Sequence, residues 1–244
     1  TSVMYGVGGK DGSRERTGFA HFFEHLLFEG TEYIGRGEWM KIVSSNGGKV
    51  NANTSQDRTY YYEIFPSNKL ELGLWMESAR LLQPIISQEG VDTQNEVVKE
   101  EKRQRTRPYS EIINEISKNL FKVHPYKDPN VGYMKDLDAA TLEEFLAFNK
   151  KYYVPNNATL VVAGDIDFAA TKKMIQDYFG PIPRGADVVR SFPEEAPITE
   201  EFRATAYDEN IQIPAVIAAY RTPSFKTRDS KILDMISSYL SAGK

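Results

Sequence analysis

The 244-residue chain has no cysteine. That excludes disulfides and thiolate metal sites, so any metal must be held by nitrogen and oxygen ligands. It also removes thiol nucleophiles, and no Gly-x-Ser-x-Gly elbow offers a foothold for serine chemistry. No stretch approaches the ~18 uninterrupted apolar residues of a membrane span, and the opening segment lacks a charged head followed by an apolar run, so neither a span nor a signal peptide is expected. Charge of one sign is missing too. The 30 basic and 34 acidic residues leave a formal charge of −4, without the basic field of a nucleic-acid binder. The turn Gly6-Val7-Gly8-Gly9-Lys10 has neither the hydroxyl nor the glycine spacing of a phosphate loop.

What is present reads as a globular α/β chain, with 41% hydrophobic and 26% charged residues. An apolar, β-prone run from Ser2 to Val7 leads into a glycine-rich turn, and a dense apolar run from Thr17 to Phe28, stopped by Gly30, reads as a buried helix. A second helix is expected over Gly37 to Ser45, then a hairpin of Lys49 to Thr54 and Arg58 to Phe65. Helical periodicity follows over Asn68 to Leu82, over Gln88 to about Arg107 behind Ser87 as N-cap, and over Ser110 to Val123 after Pro108. Thr141 and Glu144 have capping-box spacing for a helix to about Tyr152. Ala158 to Ala163 looks like a strand buried on both faces, and Asp167 a cap for the helix to Phe179. A first α/β domain is expected over 1–190, a linker over 191–197, and the beginning of a second related unit over 198–244. In that unit the strand-like runs Phe202 to Tyr207 and Ile211 to Tyr220 precede a helix from about Arg228 to Leu240.

The informative pentapeptide is His21-Phe22-Phe23-Glu24-His25, which holds two of the chain's three histidines. At 100° per residue, His21 and His25 lie about 40° apart and Glu24 about 60° to the other side of His21, so all three project over one helical patch. Paired imidazoles on adjacent turns suit Zn²⁺, and a neighbouring carboxylate can serve as general base toward water. A catalytic zinc commonly takes a third protein ligand. His124 stands before Pro125, in a turn, so the acids of the Gln88 to Arg107 helix compete better. Relative to Glu101, Val97 and Val98 lie about 40° and 60° away, whereas Glu96 and Glu100 are offset by about 140° and 100°. Glu101 is therefore the acid expected to reach an internal metal.

His-x-x-Glu-His is the signature of the inverted zinc metallopeptidases. The segment Gly18 to Thr31 resembles the active-site helix of the pitrilysin/insulinase family, closest to its bacterial, mitochondrial-processing-peptidase-like subgroup. Further matches are Asn46 to Thr54 followed by Asp57 to Tyr60, His124-Pro125-Tyr126, Tyr153 to Asn157, and Gly164-Asp165. The resemblance implies an α+β fold with a mainly antiparallel sheet covered by helices in two layers, followed by the start of a second similar module. It implies a zinc-dependent endopeptidase acting on unfolded peptides, with one zinc per chain held by His21, His25 and Glu101, the last 76 residues after His25. Glu24 would be the general base. By the same resemblance Val50 to Thr54 is the edge strand that binds an extended peptide, through Asn51, Ala52 and Asn53. Gln94 occupies a place where the family often has an acid behind the third ligand, and His124 has a structural or lining role.

Family members close two related halves over the substrate. A second homologous half or subunit, in a homodimer or heterodimer, is therefore expected, with its Arg/Tyr pair beyond Lys244. The alternative is a partner-dependent, non-catalytic scaffold or peptide-binding subunit, against which an intact Glu24 argues; a zinc hydrolase of a non-peptide bond is a third reading. A chain without cysteine is compatible with a bacterial envelope, the compartment favoured over cytoplasm or mitochondrial matrix.

Overall fold

The computed structural model describes residues 1–13, 15–104 and 108–241. Among these, four strands form one antiparallel sheet: β1 (Ser2–Tyr5), β2 (Lys49–Thr54), β3 (Thr59–Ile64) and β4 (Ala158–Val161), in the order β2-β3-β1-β4. The β2–β3 hairpin closes through Ser55 to Arg58 as its spacing implies, with the Ser55 amide donating to the Arg58 carbonyl at 2.8 Å. β1 then lies between β3 and β4, pairing Val3 with both Tyr61 and Leu160. One sheet face is covered by helices, and its inward residues Val3, Tyr5, Thr59 and Tyr61 are buried. This is the α+β, mainly antiparallel arrangement expected from the sequence.

The helices are α1 (Phe19–Leu26), α2 (Trp39–Ser45), α3 (Leu70–Leu82), α4 (Gln88–Gln104), α5 (Ile112–Leu120), α6 (Met134–Asp138), α7 (Leu142–Tyr152), α8 (Phe168–Phe179) and α9 (Arg228–Ser241). Three expected caps are formed: Ser87 accepts from the Gly90 amide at 3.2 Å, Thr141 and Glu144 make the reciprocal capping box, and Asp167 accepts from the Ala170 amide at 2.7 Å. The expected continuation of α4 through residues 105–107 lies outside the described residues. Sequence reading missed the five-residue α6, which is too short to show a period.

Two expectations fail. β4 is not buried on both faces: it is an edge strand with alternating exposure, and Val161 is 52% exposed. Its apolar run mimics a central strand, yet the last position in a sheet leaves one face and one edge uncovered. The runs 202–207 and 211–220 belong to no strand, and Tyr207 stays 94% exposed. Strand propensity needs a neighbouring backbone to pair with, and the described residues offer these runs none.

The core is aromatic. Phe22 and Phe23 of α1 are fully buried and stack against Phe145 of α7 and against Tyr153, with ring centroids 4.6 Å (Phe22–Phe145) and 4.5 Å (Phe23–Tyr153) apart. Burying rings of this size contributes roughly 1.5–3 kcal/mol each. One side of α1 is thereby committed to the core, and the opposite turns carry the histidines.

Candidate metal centre

The start of α1 is fixed by backbone packing. Gly18 has φ +84°, and a Cβ there would meet the Val131 carbonyl oxygen at 2.7 Å and Gly132 Cα at 2.8 Å. Gly132, at φ +76°, faces it in the same way. Only glycine permits both the left-handed conformation and this approach. Thr17, just before, donates from its amide to Asp136 Oδ2 of α6 at 3.1 Å and accepts from the Tyr133 amide at 2.9 Å. These contacts set the helix down with His21 buried and His25 partly open.

Glu101 arrives from α4. Val98, three residues earlier, is fully buried and marks the inward face, whereas Val97 is 44% exposed, so the inward stripe follows Val91 and Val98 rather than both valines. Glu101 Oε2 lies 3.5 Å from His21 Nε2 and 3.3 Å from His25 Nε2, and the three ligand atoms are all within 4.8 Å of one another. Two ligands about 2.05 Å from a tetrahedral centre stand about 3.3–3.4 Å apart. A charge-assisted hydrogen bond would draw them to about 2.7–2.9 Å. The donor set, two imidazoles and one carboxylate, and its spacing both fit zinc, and this is the one such cluster among the described residues.

Glu24, one residue before His25 on α1, faces the end of β2. Its Oε2 accepts from Thr54 Oγ1 at 2.6 Å. Thr54 is the last residue of β2, and the strand's alternation turns Val50, Ala52 and Thr54 toward the helical layer while Asn51 and Asn53 point outward. The Thr54 carbonyl accepts from Asn130 Nδ2 at 2.6 Å. The hairpin tip behind it is held by the Gly9 amide on the Ser55 carbonyl at 2.9 Å. Sequence reading placed Thr54 within a motif without giving it a role. The alternation of β2 was the signal, because it puts Thr54 on the same face as Ala52.

The Ser55–Arg58 hydrogen bond fixes the phase of the β2–β3 ladder, so Lys49, Asn51 and Asn53 bond to β3 while the backbones of Val50, Ala52 and Thr54 face the open edge. Two contacts agree with this phase. The Ala52 amide donates to the Asn51 side-chain oxygen at 2.9 Å, and the outward Thr54 carbonyl accepts from Asn130. Asn53 accepts from Arg58 at 2.6 Å on the outer face.

The remaining expected residues lie further out. Gln94 donates to Glu29, just beyond α1. His124 is outside the ligand cluster: its Nδ1 accepts from the Tyr126 amide at 3.2 Å, and its ring packs on Tyr126 and Phe192. Burial, reinforced by Lys10, holds its pKa below the ordinary histidine value, which keeps the ring neutral near pH 7. Burial also pushes the Tyr61 and Tyr153 hydroxyls up, and the charge of Glu24 adds to both shifts, so the two phenols near Glu24 stay neutral.

The chain is 28% identical over 246 residues to the zinc protease PqqE of Helicobacter pylori, covering 99% of this chain and 55% of that protein. A solved protease structure from Helicobacter pylori superposes with a TM-score of 0.73 at 28% identity, over 79% of this chain and 47% of that one. The periplasmic protease PqqL of Escherichia coli gives 0.73 at 25% identity, over 80% of this chain and 22% of that one. The chain thus spans about half the length of the curated relatives it matches. Residues 139–244 match the peptidase M16 inactive domain. Residues 2–132, which carry His21, His25, Glu24 and Glu101, match the insulinase model of peptidase family M16, and the chain belongs to that family.

Proposed function

We propose that the chain is the zinc-bearing half of an endopeptidase that cleaves extended peptides. The observation that carries this reading is the convergence of His21 Nε2, His25 Nε2 and Glu101 Oε2 beside a carboxylate, Glu24, that belongs to none of the three ligand positions. His21, His25 and Glu101 would hold the ion, which when bound supplies Lewis acidity toward a water and a carbonyl oxygen. Glu24 takes the proton of the attacking water at its carboxylate and returns it to the leaving amine. Thr54 orients that carboxylate through its hydroxyl, and the neutral phenols of Tyr61 and Tyr153 add no competing charge.

The substrate strand adds to the open edge of β2. Val50 and Ala52 offer outward backbone groups there, and β2 ends at Thr54, on the base. Main-chain pairing of this kind supplies affinity for any extended segment, and a folded protein cannot bring such an edge into a closed chamber. Asn51 and Asn53 flank the added strand on the outer face. A second homologous half or subunit completes the chamber, and the periplasm described for the relative PqqL fits a chain without cysteine.

The test is hydrolysis of a quenched, unstructured peptide by the zinc-loaded chain, alone and with its second half, beside Glu24→Gln. Activity in the wild type that Glu24→Gln abolishes without loss of metal is the expected result. Equal hydrolysis by Glu24→Gln removes the base from the mechanism. If zinc is bound and no peptide is cut even with the second half present, the scaffold reading takes its place.

A further inference from the structure

Glu29 is a buried acid just beyond the end of α1, and nothing in the hydrolytic scheme uses it. Its two carboxylate oxygens are divided between two partners: Oε1 accepts from Gln94 Nε2 of α4, and Oε2 from Arg36 Nε. Arg36 reaches on to Glu89 Oε1, and to Thr93 Oγ1 at 2.6 Å, both on α4. The Gly30 carbonyl next to it is tied down by the Ile85 amide at 3.0 Å. The turn after α1 is thus fastened to the first half of α4 through one carboxylate, one amide and one guanidinium.

The placement of this fastening matters. As the chain advances four residues from His25 to Glu29, its partner on α4 retreats seven, from Glu101 to Gln94, so the two segments run antiparallel. Seven residues are two helical turns, about 10 Å of axis, which bring Gln94 back to within about 20° of the face that carries Glu101. A helix pair joined at one point can still slide, and a slip of one residue moves a side chain by about 1.5 Å and 100°. Metal–ligand distances tolerate only about 0.2 Å. A second joint two turns away fixes the slide.

We propose that Glu29, Gln94 and Arg36 form a register pin that holds Glu101 opposite His21 and His25. They are positioning residues for the metal centre, and the proposal rests on the metal reading above. The bond has a polarity, donor on α4 and acceptor after α1, and this makes it testable by exchange. In Gln94→Glu two carboxylates face each other, whereas in the double variant Glu29→Gln/Gln94→Glu the same bond forms with donor and acceptor reversed.

The experiment measures zinc affinity by chelator competition, and the melting temperature of the metal-free protein, for the wild type, Gln94→Glu, Gln94→Ala and the exchanged pair. Loss of the partners that orient metal ligands commonly costs about 10–100-fold in affinity. Gln94→Glu should therefore weaken zinc at least about tenfold, Gln94→Ala less, and the exchanged pair should return to within about threefold of wild type. If Gln94→Glu does not fold, Gln94→Ala carries the test. Zinc binding within twofold of wild type in the single variants overturns the pin, as does an exchanged pair that fails to recover affinity. A wild type that takes up no zinc overturns the metal reading itself, a result the variants cannot imitate.

Discussion

Arg80 of α3 offers the sharpest test of what holds the hairpin against the helical layer. Its side chain and those of Glu63 and Glu77 are all 0% exposed, with Arg80 Nη2 at 3.2 Å from Glu63 Oε1 and 3.4 Å from Glu77 Oε1. The guanidinium carbon also lies 4.1 Å from the Trp39 ring centroid, 4.4 Å from Tyr61 and 4.6 Å from Phe28. Burial, and next the charge of Glu77, push the Glu63 carboxyl well above the usual carboxylate range against the pull of Arg80. Glu63 is therefore held protonated, and the Arg80 guanidinium stands against the charge of Glu77 beside it. Arg80→Leu leaves an uncompensated acid in the interior, which costs about 3–5 kcal/mol, and the cation–π contacts are lost with it. For a chain of this size 1 kcal/mol is worth about 2–4 °C, so a loss near ~4 kcal/mol lowers the melting temperature by roughly 8–16 °C. Urea denaturation and calorimetry at pH 7 read both quantities. Adding Glu77→Gln removes the stranded charge and should recover part of the loss. A cost below about 1 kcal/mol, or no recovery in the double variant, refutes this reading of Arg80.

Three further outcomes follow from the same physics. The folded state keeps a proton on Glu63 that the unfolded chain releases above about pH 4.3, so this group's contribution is complete below that pH and fades as pH rises toward the folded value; urea midpoints of the wild type should fall relative to Glu63→Gln as pH rises from 4 to 8. Gly18→Ala forces a side chain into left-handed backbone against the Val131 carbonyl, and denaturation should show a loss of at least about 1–2 kcal/mol with weakened zinc binding, because the start of α1 moves. Thr54→Val removes a hydrogen bond to a charged group, worth about 1.5–3 kcal/mol; kcat should drop at least about tenfold with KM and metal content unchanged, and Thr54→Ser should restore most of it.

The cluster of His21, His25 and Glu101 beside Glu24 was legible because the helix period alone puts His21, His25 and Glu24 on one patch and separates Glu101 from Glu96 and Glu100. The hairpin was legible from β-prone runs at a spacing that leaves one closure. What the sequence did not show depends on neighbours distant in the chain. The edge position of β4 is decided by which strand β1 accepts, not by the composition of Ala158 to Val161. The exposed runs of 202–220 carry strand propensity with no partner strand among the described residues. Thr54 reaches Glu24 across 30 residues and Gln94 reaches Glu29 across 65, and no local pattern reports such pairs.

The account stands on one metal ion held by His21, His25 and Glu101, and the most direct measurement is elemental analysis of the purified chain beside His21→Ala, Glu101→Ala and Glu24→Gln. One zinc per chain in the wild type and in Glu24→Gln, with little or none in the other two, is the predicted result. Zinc retained in full by His21→Ala and Glu101→Ala, or none in the wild type under metal-replete conditions, would contradict it.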